Sequence, residues 1–223
     1  MNGFFSIPTE LVKKADEETI GFKGLDSAIY TAKIVAAYVV DSSRSDAKSV
    51  TIQYKVEGND RVFYESLWYL NGQGENFYVD KKDGSQKLLP SYHTMLDFFA
   101  AAGIDISTAM PEPMVVSHYG TEEKYPVFKD FTGKVMKLGI RRNLKDSYQD
   151  ATEVDDTQVV QLFVNDEGKT GGEVRGASNA YSVSAWEKMI AKKPILDQRK
   201  LSRGDTQQAA SEEAPVAPKI QNW

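Results

Sequence analysis

Hydrophobic and polar residues alternate most regularly over residues 49–70, which we interpret as two long antiparallel strands joined by a polar turn. In the first strand Val50, Ile52 and Tyr54 share one face, and this period of two is typical of a half-buried strand. The turn falls at residues 57–60, whose glycine, asparagine and aspartate tolerate positive φ or bond to their own backbone. This strand pair is the centre of the predicted fold.

The second strand of the pair has one unusual face. It carries Phe63 and Tyr69 next to Arg61, where a solvated face would normally be polar. Beside Lys55 of the partner strand, we expect these side chains to form a platform that stacks bases and holds phosphates. The alternative is that Phe63 and Tyr69 lie under a helix or a second sheet, because large apolar side chains are usually buried. The opposite face is predicted to carry Val62, Tyr64, Trp68 and Leu70.

The rest of the pattern predicts a mainly β chain with one main helix. Residues 89–102 form that helix, with Pro90 in its first turn and Gly103 where it stops. Residues 110–132 are rich in proline and polar groups and are interpreted as an extended connection. A spacing of four also allows a helix over 28–40, but β-branched residues there favour a strand. Strands are predicted at 28–40, 76–79, 134–144 and 158–164, and a short helix at 183–192.

Five or six strands with one helix after the third long strand predict a small closed sheet. The OB-fold, a five-stranded barrel with a helix between strands three and four, fits this order. We expect an irregular lead-in over residues 1–27 and an OB-fold-like nucleic-acid-binding domain, with extra strands and loops, over 28–200. Residues 201–223 are predicted to form a flexible, disordered C-terminal tail, because their Gln, Ala, Ser, Glu and Pro bury little surface.

Composition limits the class of protein. Of the 223 residues, 41% are apolar and 26% are charged, which is typical of a globular protein and not of a disordered or fibrous one. No apolar run approaches the length of a membrane span, and no secretory signal is recognised at the N-terminus. The absence of cysteine excludes disulfides and thiol nucleophiles and agrees with a reducing cytoplasm. We therefore expect a cytoplasmic protein without membrane contact.

Charge is unevenly distributed along the chain, whose net charge is −5. Residues 129–145 carry six basic side chains against one acid, whereas residues 146–156 carry five acids. Within the strand at 134–144 cations alternate with apolar residues, so we expect Lys137 and Arg141, with Arg142 nearby, to point together from a rigid surface. Such a run is also typical of an ordinary solvated face.

Residues suited to catalysis or to a cofactor are not recognisable. The segment Gly168-Lys169-Thr170 lacks the earlier glycine of a phosphate-binding loop. His93 and His118, the two histidines, have no partner at ligand spacing, and the paired acids at 122–123 and 155–156 are typical of solvated loops. We therefore predict a binding protein without cofactor or metal, and not an enzyme.

The C-terminus carries a separate candidate site. Residues 211–223 contain two acids and end in an aromatic residue, so that Ile220 and Trp223 form an apolar tip on a polar segment. Such a tip can recruit partner proteins. The alternative is an unremarkable chain end.

Over residues 28–200 the chain resembles the single-stranded-DNA-binding proteins of tailed bacteriophages, OB-fold factors of DNA replication, recombination and repair. The resemblance rests on Leu67-Trp68-Tyr69-Leu70 and on three longer segments. It implies sequence-tolerant binding by stacking and a basic groove, and a tail that recruits replication or recombination proteins. Family tails are often strongly acidic, whereas residues 205–223 of this chain carry only three acids and also the basic Lys219. The three segments are LPSYHTMLDFFAAAG, GKVMKLGIRRNLKD and VVQLFVNDEGKTGGEVRG, and the last is followed by Trp186 and the Asp197–Lys200 run, which add to the resemblance.

We therefore expect a non-catalytic protein that coats single-stranded DNA in the cytoplasm of a phage's host. Lys55, Arg61, Lys137, Arg141 and Arg142 would line the phosphate path, and Phe63 and Tyr69 would stack bases. The alternative is a phage structural or adaptor β-protein whose exposed aromatic residues form a protein–protein interface. A small enzyme acting on nucleic acid lacks recognisable residues, and the sequence leaves the oligomeric state open, a homo-oligomer included.

Overall fold

A computed structural model describes the protein over residues 24–146 and 154–198. Most of the predicted lead-in at 1–27 and the whole tail at 201–223 lie outside these ranges. None of the helices in these ranges has the length and apolarity needed to cross a membrane. The helices are α1 (Pro90–Ala101), α2 (Gly171–Val174) and α3 (Val183–Lys192), with a 3₁₀ turn at Lys129–Phe131. The strands are β1 (Ala28–Asp41), β2 (Lys48–Val56), β3 (Phe63–Leu70), β4 (Phe77–Val79), β5 (Gln86–Leu88), β6 (Glu112–His118), β7 (Thr121–Val127), β8 (Val135–Asp146), β9 (Val154–Val164) and β10 (Ile195–Asp197).

Eight of these strands form one sheet, so the predicted mainly β class is confirmed. The main path runs β10–β8–β1–β2–β3, β9 pairs with β8, and the β6–β7 hairpin joins β1 where Tyr38 lies opposite Val127. Every pair in the sheet is antiparallel except β10 with β8. Strands β4 and β5 form a separate two-stranded sheet.

The prediction of a closed five-stranded barrel is wrong. In the described chain, β3 and β9 are not joined by backbone pairing. A side chain connects them instead, because the Val160 N–H on β9 donates a 2.9 Å hydrogen bond to Glu65 Oε2 on β3. The carboxyl group takes the place that a carbonyl of a neighbouring strand would occupy, and the sheet stays open along this line.

The main core lies between the sheet and α1, whose predicted position is confirmed. Pro90 stands in the first turn of the helix, and Gly103, with φ of +67°, follows its end. Phe98 stacks on Phe131 with ring centroids 4.1 Å apart, and Phe99 meets the same ring edge-on. This side of the sheet, called the α1 side below, collects the alternate residues Ile34, Ile52, Tyr54, Leu138 and Ile140.

The opposite side, called the outer side, is covered in two places. Helix α3 places Trp186 against Leu162 and Val164 of β9. The β6–β7 hairpin packs against Tyr38 of β1. The prediction of an extended connection over 110–132 is therefore wrong. Its two strand prolines, at positions 113 and 126, lie opposite each other, so both missing hydrogen-bond donors fall at one point of the ladder.

Candidate nucleic-acid interface

Phe63 does not lie on an open surface. It is opposite Tyr54 in the β2–β3 ladder, so both rings point to the α1 side, where their centroids are 5.7 Å apart in a stacked arrangement. Phe63 is 4% exposed, and Tyr69 is half-buried against the same core. The expectation of a bare Phe63–Tyr69 platform is wrong, and the alternative, burial beneath a helix, describes this face. Burial also raises the pKa of the Tyr69 phenol.

The face that remains open on β3 is the opposite one, which carries Tyr64 and Trp68. Tyr64 lies opposite Gln53 and is half-buried, and Trp68 is 42% exposed. The sequence alone could have indicated that Phe63 faces the core, because a four-residue turn over 57–60 places Phe63 opposite Tyr54. The parity of the turn, more than the apolar pattern, decides which aromatic residues face solvent.

A second ring lies against Tyr64. Tyr119 stacks on it with centroids 4.2 Å apart and planes 23° apart. Tyr119 occupies the tip of the β6–β7 hairpin, where its φ is +47° and that of Gly120 is +89°. Positive φ at both residues is typical of a type I′ turn, which asparagine and glycine normally supply. Tyr119 is not among the residues predicted from the sequence, because the pattern over 110–132 predicts no hairpin.

These tyrosines border a groove of about 550 Å³ between β3 and the ends of β8 and β9. Arg61 and Lys145 line it from opposite sides, and the Arg61 guanidinium lies 5.6 Å from the Phe63 ring centroid. Glu65 is the one acid among the described lining residues. Burial raises the pKa of Glu65 to about 8, so this carboxyl group is mostly protonated at neutral pH. The groove therefore presents two cations and two stacked rings to an anionic ligand.

Three lysines form a basic patch on the outer side of β8, β1 and β2. Lys33 lies directly opposite Lys55, and Lys137 lies opposite Thr31, two residues from Lys33 on the same face. All three are exposed, and none forms an ion pair within the described residues. Like charges directly opposite destabilise a sheet, and a bound anion would relieve this repulsion. Lys33, Lys55 and Lys137 are called the lysine patch.

The lysine patch and the groove are neighbours along the chain. A cavity of about 510 Å³ at the patch is lined by Lys33, Lys55 and the first part of the β2–β3 loop, including the acids Glu57 and Asp60. The next residue of that loop, Arg61, lines the groove. Lys33 was missed by the sequence analysis because only the pairing of β1 with β2 reveals its position beside Lys55.

The two predicted arginines of β8 are placed differently. Arg141 is 5% exposed, and its Nη2 donates hydrogen bonds to the carbonyl oxygens of Lys193 at 2.8 Å and Ile195 at 3.5 Å. The expectation that Arg141 is exposed on a surface together with Lys137 is therefore wrong, because the segment before β10 covers it. Arg142 is half-buried, and its backbone N–H donates to Ser27 Oγ. The predicted tail residues Ile220 and Trp223 lie outside the described residues.

The histidine of the β6–β7 hairpin, His118, takes part in a hydrogen-bonded group between the hairpin and the sheet. His118 Nδ1 is hydrogen-bonded to the Tyr38 hydroxyl at 2.7 Å, and this hydroxyl accepts a 3.0 Å hydrogen bond from Gln53 Nε2. Burial raises the pKa of Tyr38. Within residues 24–146 and 154–198, no three acidic or histidine side chains are grouped so that they could hold a metal ion.

Comparison with protein-family models, curated proteins and solved structures finds no match to this chain.

Proposed function

We propose that this protein binds single-stranded DNA without catalysing a reaction on it. The observation that carries the proposal is the groove in which stacked Tyr64 and Tyr119 lie between Arg61 and Lys145. Rings stack on bases of any sequence, and cations beside them hold phosphates. The lysine patch extends this path across β2, β1 and β8, so the backbone of a bound strand follows Lys137, Lys33 and Lys55 to the groove.

We further propose that the fold is an open relative of the OB-fold. Support comes from the strand order β3–β2–β1–β8–β9 and from α1, which stands between β3 and β8 in the chain. In an OB-fold the strands corresponding to β3 and β9 would approach each other and complete a partly open barrel. Here the bond between Glu65 and Val160 spans that gap.

The biological setting that we propose follows from the resemblance to phage single-stranded-DNA-binding proteins. The protein would coat DNA during phage replication, recombination and repair in the host cytoplasm. Its terminal Ile220 and Trp223 would recruit replication or recombination proteins, which isothermal titration of the full chain and a Trp223→Ala variant against candidate phage enzymes would test.

Binding of a fluorescein-labelled oligothymidine at several salt concentrations tests the phosphate path. The variant K33A/K55A/K137A should bind more weakly and lose about 0.7 from the logarithmic salt slope for each phosphate contact removed, about 2 in total. The control K81A/K82A/K188A removes three exposed lysines that lie elsewhere and should retain the parent's slope. Equal slopes in all three proteins would exclude the lysine patch from the path.

Two ring variants separate stacking from folding. Tyr64→Ala should weaken oligothymidine binding by about 1–3 kcal/mol, because it removes half of the stacked pair. Phe63→Ala should instead lower the free energy of unfolding by about 3–5 kcal/mol, because it opens a cavity in the core. Absence of binding by the parent at low salt, with a stable high-order assembly on gel filtration, would favour the structural or adaptor protein.

A further inference from the structure

A separate cavity of about 310 Å³ lies beside β9, between α1, α3 and the segment 165–182. It shares no lining residue with the groove or with the cavity at the lysine patch. Leu162 and Trp186 form its buried part, and Asn179 and Tyr181 are exposed at its rim. Its volume is at the lower end of the range of small-molecule sites, which suits a ligand of one or two rings.

The wall formed by segment 165–182 is held firmly in place. Thr170 and Glu173 form a reciprocal capping box at the start of α2. Gly171 lies so close to α1 that a Cβ atom there would be 1.9 Å from the Asp97 carbonyl oxygen. Arg175 Nε donates to Asp97 Oδ1 at 2.5 Å. These contacts fix the cavity before any ligand enters.

The charges around this cavity are balanced. Asp97 and Arg175 pair with each other, and no other described residue lining the cavity is a carboxylate, a lysine or an arginine. An ionic ligand would therefore find no unpaired carboxylate, ammonium or guanidinium group on the wall, and this lining favours a neutral ligand.

Polar groups on the wall are numerous for so small a cavity. The amides of Gln161 and Asn179 and the imidazole of His93 all line it.

We propose that this cavity binds one nucleobase. A nucleobase is neutral and planar, and its edge carries several donors and acceptors that suit two amides and an imidazole. An aromatic side chain of a partner protein offers at most one such group. Tyr181, 60% exposed at the rim, supplies a ring face for stacking. The inference goes beyond the proposed function, since either a base of a bound strand or a free nucleoside has this chemistry.

Trp186 provides a reporter inside the site. The chain has three tryptophans, so the full-length variant W68F/W223F leaves Trp186 as the sole source of tryptophan fluorescence. Titration with each of the four deoxynucleosides should give a saturable change for at least one. In this background Tyr181→Ala and Gln161→Leu should each weaken binding at least tenfold. Tyr78→Ala, which removes another exposed ring on β4, should leave the affinity unchanged.

The proposal is overturned if no deoxynucleoside changes Trp186 fluorescence at millimolar concentration, or if isothermal titration shows that N-acetyltryptophanamide binds and the nucleosides do not. If the ligand is a base of a bound strand, oligothymidine should change Trp186 fluorescence at a lower concentration than thymidine does. The variant K33A/K55A/K137A should then need similar concentrations of both. A free nucleoside as ligand predicts equal thymidine affinity in the parent and that variant. Nucleoside binding without any oligothymidine binding would contradict the proposed function alone.

Discussion

Tyr119 holds a backbone conformation that its side chain disfavours. Its φ of +47° brings Cβ close to the backbone, and the cost for a residue other than glycine is about 1–2 kcal/mol. Stacking of its ring on Tyr64 offsets about 0.5–1.5 kcal/mol of this conformational cost. Strained residues of this kind cluster at functional sites, because function, more than stability, retains them.

Replacing Tyr119 by asparagine should separate these effects. Tyr119→Asn creates the favoured Asn-Gly turn and loses the ring, so its free energy of unfolding should stay within about 1 kcal/mol of the parent. Tyr64→Ala loses the same stacking without relief of strain and should be the less stable variant. Both should bind oligothymidine more weakly. Urea denaturation and fluorescence anisotropy measure the two quantities, and equal destabilisation would show that the turn is not strained.

Glu65 should make stability depend on pH. Its native pKa of about 8 is above the ordinary 4.5, so the native state holds a proton that the unfolded state has released between these values. The native state is therefore favoured at low pH, and this contribution is lost as pH rises from 4.5 to 8. Glu65→Gln is always neutral and keeps an acceptor for the Val160 N–H. The stability of E65Q relative to the parent should rise over this window, as urea denaturation at pH 5, 7 and 9 would measure; parallel pH curves would contradict the assignment.

At the scale of elements, α2 can approach α1 only because position 171 is glycine. Gly171→Ala would place Cβ 1.9 Å from the Asp97 carbonyl oxygen and 2.5 Å from its carbon, and backbone must move to admit it. We expect a loss of about 1–3 kcal/mol or more in the free energy of unfolding. Gly72→Ala, whose Cβ would meet nothing nearer than Ser45 Cβ at 3.6 Å, is the matched control. Similar thermal midpoints for both variants would mean that α2 and α1 are less tightly packed at Gly171 than the 1.9 Å distance indicates.

Arg141 fastens the segment before β10 onto β8. Arg141→Met removes the donor to the Lys193 carbonyl and should lower the free energy of unfolding by about 1–3 kcal/mol. Because Arg141 is buried, the salt slope of oligothymidine binding should not change. Lys137→Ala should give the reverse result, with unchanged stability and a slope reduced by about 0.7. A reduced slope in Arg141→Met would return this arginine to the phosphate path.

For the whole molecule, the distribution of charge matters more than its sum. The net charge of −5 argues against a protein coated in positive charge. Screening limits the reach of each charge to about 8–10 Å at physiological salt, however, so the lysine patch and the groove act locally. The three lysines of the patch are far apart in the chain, and the pairing of β1 with β2 and β8 brings them together.

Local pattern predicts much of the fold. The period of two over β2 and the apolar stripe and capping residues of α1 depend on near neighbours, so the sequence is sufficient for them. Which rings stay open depends on register and on what covers each face. Phe63 and Tyr64 are adjacent and equally aromatic, and only their opposite partners distinguish them.

The β6–β7 hairpin and Lys33 could not be predicted for a different reason. Prolines 113 and 126 argue individually against strands, and the ladder tolerates them because they face each other. The importance of Lys33 depends on Lys55, which is 22 positions away in the sequence and directly opposite in the sheet. Long-range pairing therefore determines the candidate site, and no periodic signal carries it.

The line between β3 and β9 has a mechanical consequence. Strands β1, β2 and β8 have neighbours on both sides, but this boundary is spanned by the Glu65 carboxyl and the Val160 amide. Among the described residues, widening it breaks one side-chain bond and no backbone ladder. Under the proposed function, the groove would therefore widen to admit purines or pyrimidines alike. Deuterium should accordingly enter the amides along this boundary sooner than those of β1 and β2. A tolerance for any base would then be a property of the gap itself.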